Sequence, residues 1–119
     1  MATYVISEID YWAGNPTIKI RYAGQDRDEA IKMFDKCFKR SCWNPDKNDW
    51  FMISPEVAEE VGEDQSYENV LKYLIRKVDD ECKVVIDSDW DDGEGDYPLY
   101  LQYIKVKDYS DTPFRLYTQ

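Results

Sequence analysis

Carboxylates are the chemically active groups that this chain holds in excess. Residues 48–96 carry sixteen Asp and Glu against four Lys and Arg, while residues 1–47 carry seven against eight and residues 97–119 two against three. The acids fall in three clusters: Glu56, Glu59, Glu60, Glu63 and Asp64; Asp79, Asp80 and Glu81; and Asp87, Asp89, Asp91, Asp92, Glu94 and Asp96, with Trp90 and Tyr97 set among the last. Such groups can exchange protons as a pair flanking a substrate bond, ligate a hard cation, or present a one-signed field to a basic partner.

The pattern separates these chemistries. Acid/base work needs a carboxyl in apolar surroundings that raise its pKa, and no acid in these hydrophilic runs is set apart in that way. Histidine is absent, which removes the usual near-neutral proton carrier, the Ser-His and Cys-His nucleophile pairs and the commonest ligand of catalytic zinc. D87-S-D89-W-D91 begins as an EF-hand loop begins, but Asp92 stands at the sixth position, where Gly makes the turn, and Pro98 at the twelfth, where a Glu closes the site. The three cysteines, Cys37, Cys42 and Cys82, form no CxxC pair and make an incomplete zinc set. Cys37 and Cys82 fall on apolar helical faces and read as small buried hydrophobes. No glycine-rich phosphate cradle follows a strand. The expectation is a protein that is not an enzyme, with no catalytic residue, metal or cofactor.

Anionic display remains. Extended, residues 87–96 span about 30 Å, so six acids average one charge per about 5 Å, the same order as the ~3.4 Å per phosphate along one DNA strand. Two unit charges ~7 Å apart repel by only ~0.6 kcal/mol in water, so the run needs no ion to hold it. An aromatic such as Trp90 or Tyr97 can seat in a partner's pocket while carboxylates meet its Lys and Arg rim.

The elements that must position these residues are legible in outline. Residues 3–12 are β-branched and aromatic, and TIKIRY follows the turn signal Ala13-Gly14-Asn15-Pro16, with Ile18, Ile20 and Tyr22 alternating with Thr17, Lys19 and Arg21. This predicts a hairpin with one wet face. Its first strand mixes Val5, Ile6 and Ile9 across both faces and is expected to lie centrally or to bend at a bulge. Asp26 or Asp28 caps a helix to about residue 41 with Ala30, Phe34, Cys37 and Phe38 on one stripe. Asn44-Pro45-Asp46 marks a turn before WFMI, read as a short strand. Ser54-Pro55-Glu56 opens a two-turn helix closed by Gly62, and Ser66 opens a longer one to about residue 80 with Val70, Leu71, Leu74, Ile75 and Val78 inward. KVVI, an acidic loop DSDWDDGEGDY, and PLYLQYIKV follow as strand, loop and strand, with FRLY as an optional last strand.

The 119 residues therefore predict a single α+β domain: an antiparallel or mixed β-sheet with two main helices on one face, in the order β-β-α-(β)-α-α-β-β. The net charge of −10 opposes direct nucleic-acid or anionic-membrane binding and favours a basic partner. MATYVISEID has no basic n-region or apolar core of a leader, no 18-residue apolar run occurs, and the cysteine number is odd; the expected compartment is cytoplasmic, that of the host cell if the chain is phage-encoded. In size, charge and composition the chain resembles the small acidic inhibitors that phages carry against CRISPR or restriction systems. The expected function is inhibition of a basic nucleic-acid-binding protein or nuclease by partial nucleic-acid mimicry. The expected partner-binding residues are Asp87, Asp89, Trp90, Asp91, Asp92, Glu94, Asp96 and Tyr97 together with Glu56, Glu59, Glu60, Glu63 and Asp64. Two alternatives stand beside it: an immunity protein against a nuclease toxin, and a structural or assembly protein, as a homodimer, that uses PLYLQYIKV as an apolar edge strand and its acids only for solubility.

Overall fold

The β-branched and aromatic runs near the two ends of the chain pair with each other, and the helical middle lies across them. The computed structural model describes residues 2–10, 17–50, 55–91 and 96–107, with backbone alone at 10, 41, 49, 50, 55, 87–91 and 96–100. Strands β1 (Thr3–Asp10) and β2 (Thr17–Gly24) pair antiparallel, as do β5 (Lys83–Asp91) and β6 (Asp96–Val106), and β6 joins the two hairpins by pairing antiparallel with β1. The sheet order is β2-β1-β6-β5. Helix α1 (Arg27–Cys42) packs over β1 and β2, helix α3 (Tyr67–Glu81) over β5 and β6, and the short α2 (Pro55–Val61) against α3. The two-residue strands β3 (Trp43–Asn44) and β4 (Asp49–Trp50) close the Asn44-Pro45-Asp46 turn as a small hairpin. The fold is thus α+β with an antiparallel sheet. Residues 51–53 of WFMI and the whole of FRLY lie outside the described residues.

Local chemistry sets the helix ends. The Asp26 carboxylate accepts the N–H groups of Asp28 at 3.0 Å and Glu29 at 3.2 Å, satisfying two donors that the first turn of α1 leaves orphaned. Ser66 caps α3 through the Asn69 N–H. Gly62 ends α2 at φ +88°, its N–H donating to the Ala58 carbonyl at 3.1 Å, a left-handed conformation that glycine adopts without strain. Cys82 makes the same left-handed turn at φ 67° after α3 with a side chain attached.

The core joins Ala30, Phe34, Cys37, Phe38 and Cys42 of α1 and Tyr67, Val70, Leu74 and Val78 of α3 to Tyr4, Ile6, Val84, Leu101 and Tyr103 of the sheet. Phe34 stands 4.9 Å from the Tyr103 ring. Removing a side chain of this size from water contributes roughly 2–3 kcal/mol. The helical stripes face inward at Ala30, Phe34, Cys37 and Phe38 and at Val70, Leu74 and Val78, while Leu71 and Ile75, also expected inward, are only partly buried.

Several expectations are corrected. Ile18 and Ile20 do not share a buried face with Tyr22: they are 64% and 59% exposed. The ladder pairs Ile6 with Tyr22 but Ser7 with Ile20, so Arg21 is an extra residue at a bulge that flips the phase of β2 and turns the two isoleucines to the face away from the helices. β1 is central, one of the two arrangements its mixed faces suggested, and the bulge lies in its partner β2. PLYLQYIKV lies inside the sheet as most of β6, flanked by β1 and β5, so it is not an edge strand. Cys82 is a helix-terminating residue and half-buried. The acidic run is mostly ladder: Asp87, Asp89, Trp90 and Asp91 belong to β5, and Asp96 and Tyr97 to β6.

Candidate interaction site

α2 is too short to bury much by itself, and it packs on α3 while standing away from the sheet edge. Between it and β5 runs a groove of about 540 Å³. Glu56 and Glu60, one turn apart on α2, form one wall with Val57; Tyr73, Leu74, Lys77 and Glu81 of α3 form the roof; Lys83, Val84 and Val85 of β5 form the other wall. A shallower continuation beyond α3 adds Arg76 and Asp80. The groove has an apolar floor and a charged rim, the composition that suits a polypeptide ligand with one apolar and one cationic face.

The rim charges differ in their commitments. Lys77 lies 3.9 Å from Glu81 and 5.9 Å from the centre of the Tyr73 ring, a loose bridge that water screens. Glu56, Glu59, Glu60, Glu63 and Asp64 are all exposed, and no ion pair among the described residues uses any of them. Asp64 is partly spent on the turn before α3, where its carboxylate accepts the Ser66 N–H at 3.2 Å. In the second cluster Asp79 is bound to Arg27 of α1 by two hydrogen bonds of 3.2 and 2.6 Å. The guanidinium holds its carboxyl below the usual carboxylate range, against a smaller effect of burial.

The structure therefore brings Glu56 and Glu60 together with Asp80 and Glu81 around one groove and leaves Glu59, Glu63 and Asp64 outside its lining. Asp87, Asp89, Trp90 and Asp91 continue β5 beyond Val85, opposite Tyr100, Pro98, Tyr97 and Asp96 of β6, respectively. Asp92 and Glu94 lie outside the described residues. Tyr73, Lys77 and Val85 escaped sequence reasoning, because only the docking of α2 on α3 gives them a common cavity.

A second charged site was also missed. Glu8 is 5% exposed beneath α1. Arg21 donates to its Oε2 at 3.1 Å, Arg40 donates to its Oε1, and Cys37 hydrogen-bonds to the same carboxylate. Burial pushes the Glu8 pKa upward, but the Arg21 hydrogen bond, the Arg40 charge and Cys37 together outweigh it and leave it below the usual value. Cys37 is raised by burial and by Glu8, and Cys42 is pushed up to about 12 by burial, so both stay protonated thiols. A signal for Glu8 existed: it is an acid inside the β-branched and aromatic run of residues 3–12.

Among the described residues no group of three or more Cys, Asp or Glu is arranged to hold a metal ion, and no helix is long and apolar enough to cross a membrane. Comparison with family models, curated proteins and solved structures finds no match to this chain.

Proposed function

We propose that this protein is a small acidic inhibitor that binds a basic, nucleic-acid-acting protein and occupies the surface on which that protein holds phosphates, as a partial nucleic-acid mimic of the phage anti-CRISPR or anti-restriction type. The supporting observation is the exposed set of acids on α2 and its following turn, none of which is ion-paired among the described residues: a cationic partner meets charges with no such pair to displace. Lys and Arg contacts to phosphate supply much of the affinity of nucleic-acid-handling proteins, so a compact acidic surface competes for the same cations and is steered to them rapidly.

The test is capture from host lysate on the immobilised chain at ~0.1 M salt with elution at ~0.5 M, where the Debye length has roughly halved. The eluted protein should retard DNA or RNA in a gel, and free chain should release it. A captured protein that ignores nucleic acid, or that keeps its nucleic acid in the presence of the chain, overturns the reading. A second reading, assembly of copies through an apolar edge, has exposed Ile18 and Ile20 of β2 in its favour; such copies would sediment above 14.2 kDa.

A further inference from the structure

Among the described residues the sheet has two open edges of opposite character. β2 carries Lys19 and Arg21, and its Ile18 and Ile20 are exposed. β5 carries Lys83 followed by Asp87, Asp89 and Asp91, and Val85 is 43% exposed between them. Hydrogen-bond phase says what the β5 edge offers. The Lys105 N–H donates to the Cys82 carbonyl at 2.9 Å, which with the unbroken register makes Lys83 and Ile104 a non-hydrogen-bonded pair and Val84 and Tyr103 a hydrogen-bonded one. Val84 therefore turns its N–H and C=O towards β6. Lys83, Val85, Asp87, Asp89 and Asp91 turn theirs outward. Pro98 agrees with this phase: it opposes Asp89, where a β6 residue sends no N–H to β5, so a proline there costs the β5 ladder nothing.

An outward row of five residues along nine positions, about 27–30 Å of strand, is a template for another strand. Here the template borders the groove, whose far wall carries Glu56 and Glu60. From the groove to the end of β5 there are seven acids (Glu56, Glu60, Asp80, Glu81, Asp87, Asp89 and Asp91) to three bases (Arg76, Lys77 and Lys83).

We infer that the partner engages this protein by adding an extended, basic segment as a fifth strand on the β5 edge, between β5 and α2. The inference rests on the reading that the partner is a basic protein and names the part of it that docks. Main-chain hydrogen bonds to the outward row give the segment its affinity; its alternate side chains divide between the two faces of the sheet, one set meeting the groove with Glu56 and Glu60 on its wall and the other the exposed Val85. Charge selects the edge, since the same segment approaching β2 meets Lys19 and Arg21.

The probe is a blocked octapeptide of alternating Val and Lys, titrated into the isotope-labelled full chain and followed by amide chemical shifts. Two analogues, N-methylated at every Val or at every Lys, keep the charge and each lose the N–H groups of one peptide edge. The parent should move the amides of Lys83 and Val85, and one analogue should bind at least tenfold more weakly. Val85→Pro removes an outward N–H and no rung to β6, and should also weaken binding at least tenfold with an unchanged circular dichroism spectrum. The double change Glu56→Gln and Glu60→Gln should weaken binding several-fold and flatten its salt dependence. Equal binding of all three peptides, or shifts confined to α2, would reduce the site to bare charge and overturn the inference, as would shifts along β2. A second copy on the β5 edge, seen as a concentration-dependent dimer that Val85→Pro abolishes, would overturn it too. If no peptide binds while the chain still frees nucleic acid from its captured target, the docking mode falls and the inhibitor reading stands. If the peptide binds as expected and no such target exists, the edge stands and the inhibitor reading falls.

Discussion

Glu8 sits beneath α1 with an arginine on each carboxylate oxygen, while Glu56 and Glu60 stand in water on the wall of the groove with no ion pair among the described residues. The side chain is the same and its use is opposite. At Glu8 the surroundings hold the charge: Arg21, at the β2 bulge, and Arg40, in the last turn of α1, converge on it from two elements. That arrangement ties α1 to the bulged β1–β2 hairpin. At α2 the charge remains available to a partner. A carboxylate within an apolar strand is therefore a structural part here, and the acid-rich surface is the one on which the proposed recognition rests.

Glu8→Gln breaks the comparison at its more consequential end. It leaves two guanidinium groups facing a neutral amide and should cost about 2–4 kcal/mol, somewhat less than the ~3–5 kcal/mol of a fully buried broken pair because both arginines also reach water. A urea melt reads it as a lower midpoint with an unchanged slope. The acid limb carries a second signature. Since the folded Glu8 titrates below its ordinary 4.5, its ionisation stabilises the fold fully above pH ~4.5 and that share disappears as pH falls through the lower, folded value. Asp79, depressed by Arg27 from its ordinary 3.8, acts in the same direction somewhat lower. The variant should therefore lose stability less steeply below pH ~4.5 than the parent.

The junction into β5 sharpens the contrast on the acidic side. Cys82 holds φ 67° with a Cβ, and its N–H bonds the Val78 carbonyl at 2.8 Å while its carbonyl accepts from Lys105. A left-handed residue of this kind costs roughly 1–2 kcal/mol relative to glycine. Cys82→Gly removes that strain and loses only a half-buried thiol, so it should raise stability by about 1 kcal/mol, or several degrees in Tm for a chain of this length. Equal or lower stability would mean that the thiol's packing outweighs the turn.

What the sequence disclosed follows its periodicities. The stripe Ala30-Phe34-Cys37-Phe38, three of the five residues Val70, Leu71, Leu74, Ile75 and Val78 (Leu71 and Ile75 are only partly buried), the caps Asp26 and Ser66, and the stop at Gly62 are local patterns that lie where their spacing places them. The failures are long-range. Ile18 and Ile20 keep the period of Tyr22, but a bulge that depends on the partner strand turns them outward. The central position of β6 required knowing that the two hairpins join through β1, and without it PLYLQYIKV read as an edge. Composition named Glu56 and Glu60 as candidates, yet nothing in the order of residues foretold that Tyr73, Lys77 and Val85 would share a groove with them.

Neutralising that groove is the mildest change to the fold and the most direct test of the contrast. Glu56 and Glu60 stand four apart on α2, where like charges repel by a few tenths of a kcal/mol, while Glu56 in the first turn gains a similar amount from the helix dipole. Glu56→Gln with Glu60→Gln should therefore shift stability by less than about 0.5 kcal/mol, in either direction. Its effect belongs to association: the on-rate with the basic target should fall several-fold at ~0.05 M salt, and the difference should vanish by ~0.5 M as screening removes steering from both proteins. Stopped-flow rates beside urea melts decide it. A loss of stability comparable to that of Glu8→Gln would show that these acids serve the fold, and an unchanged on-rate would show that they serve only solubility.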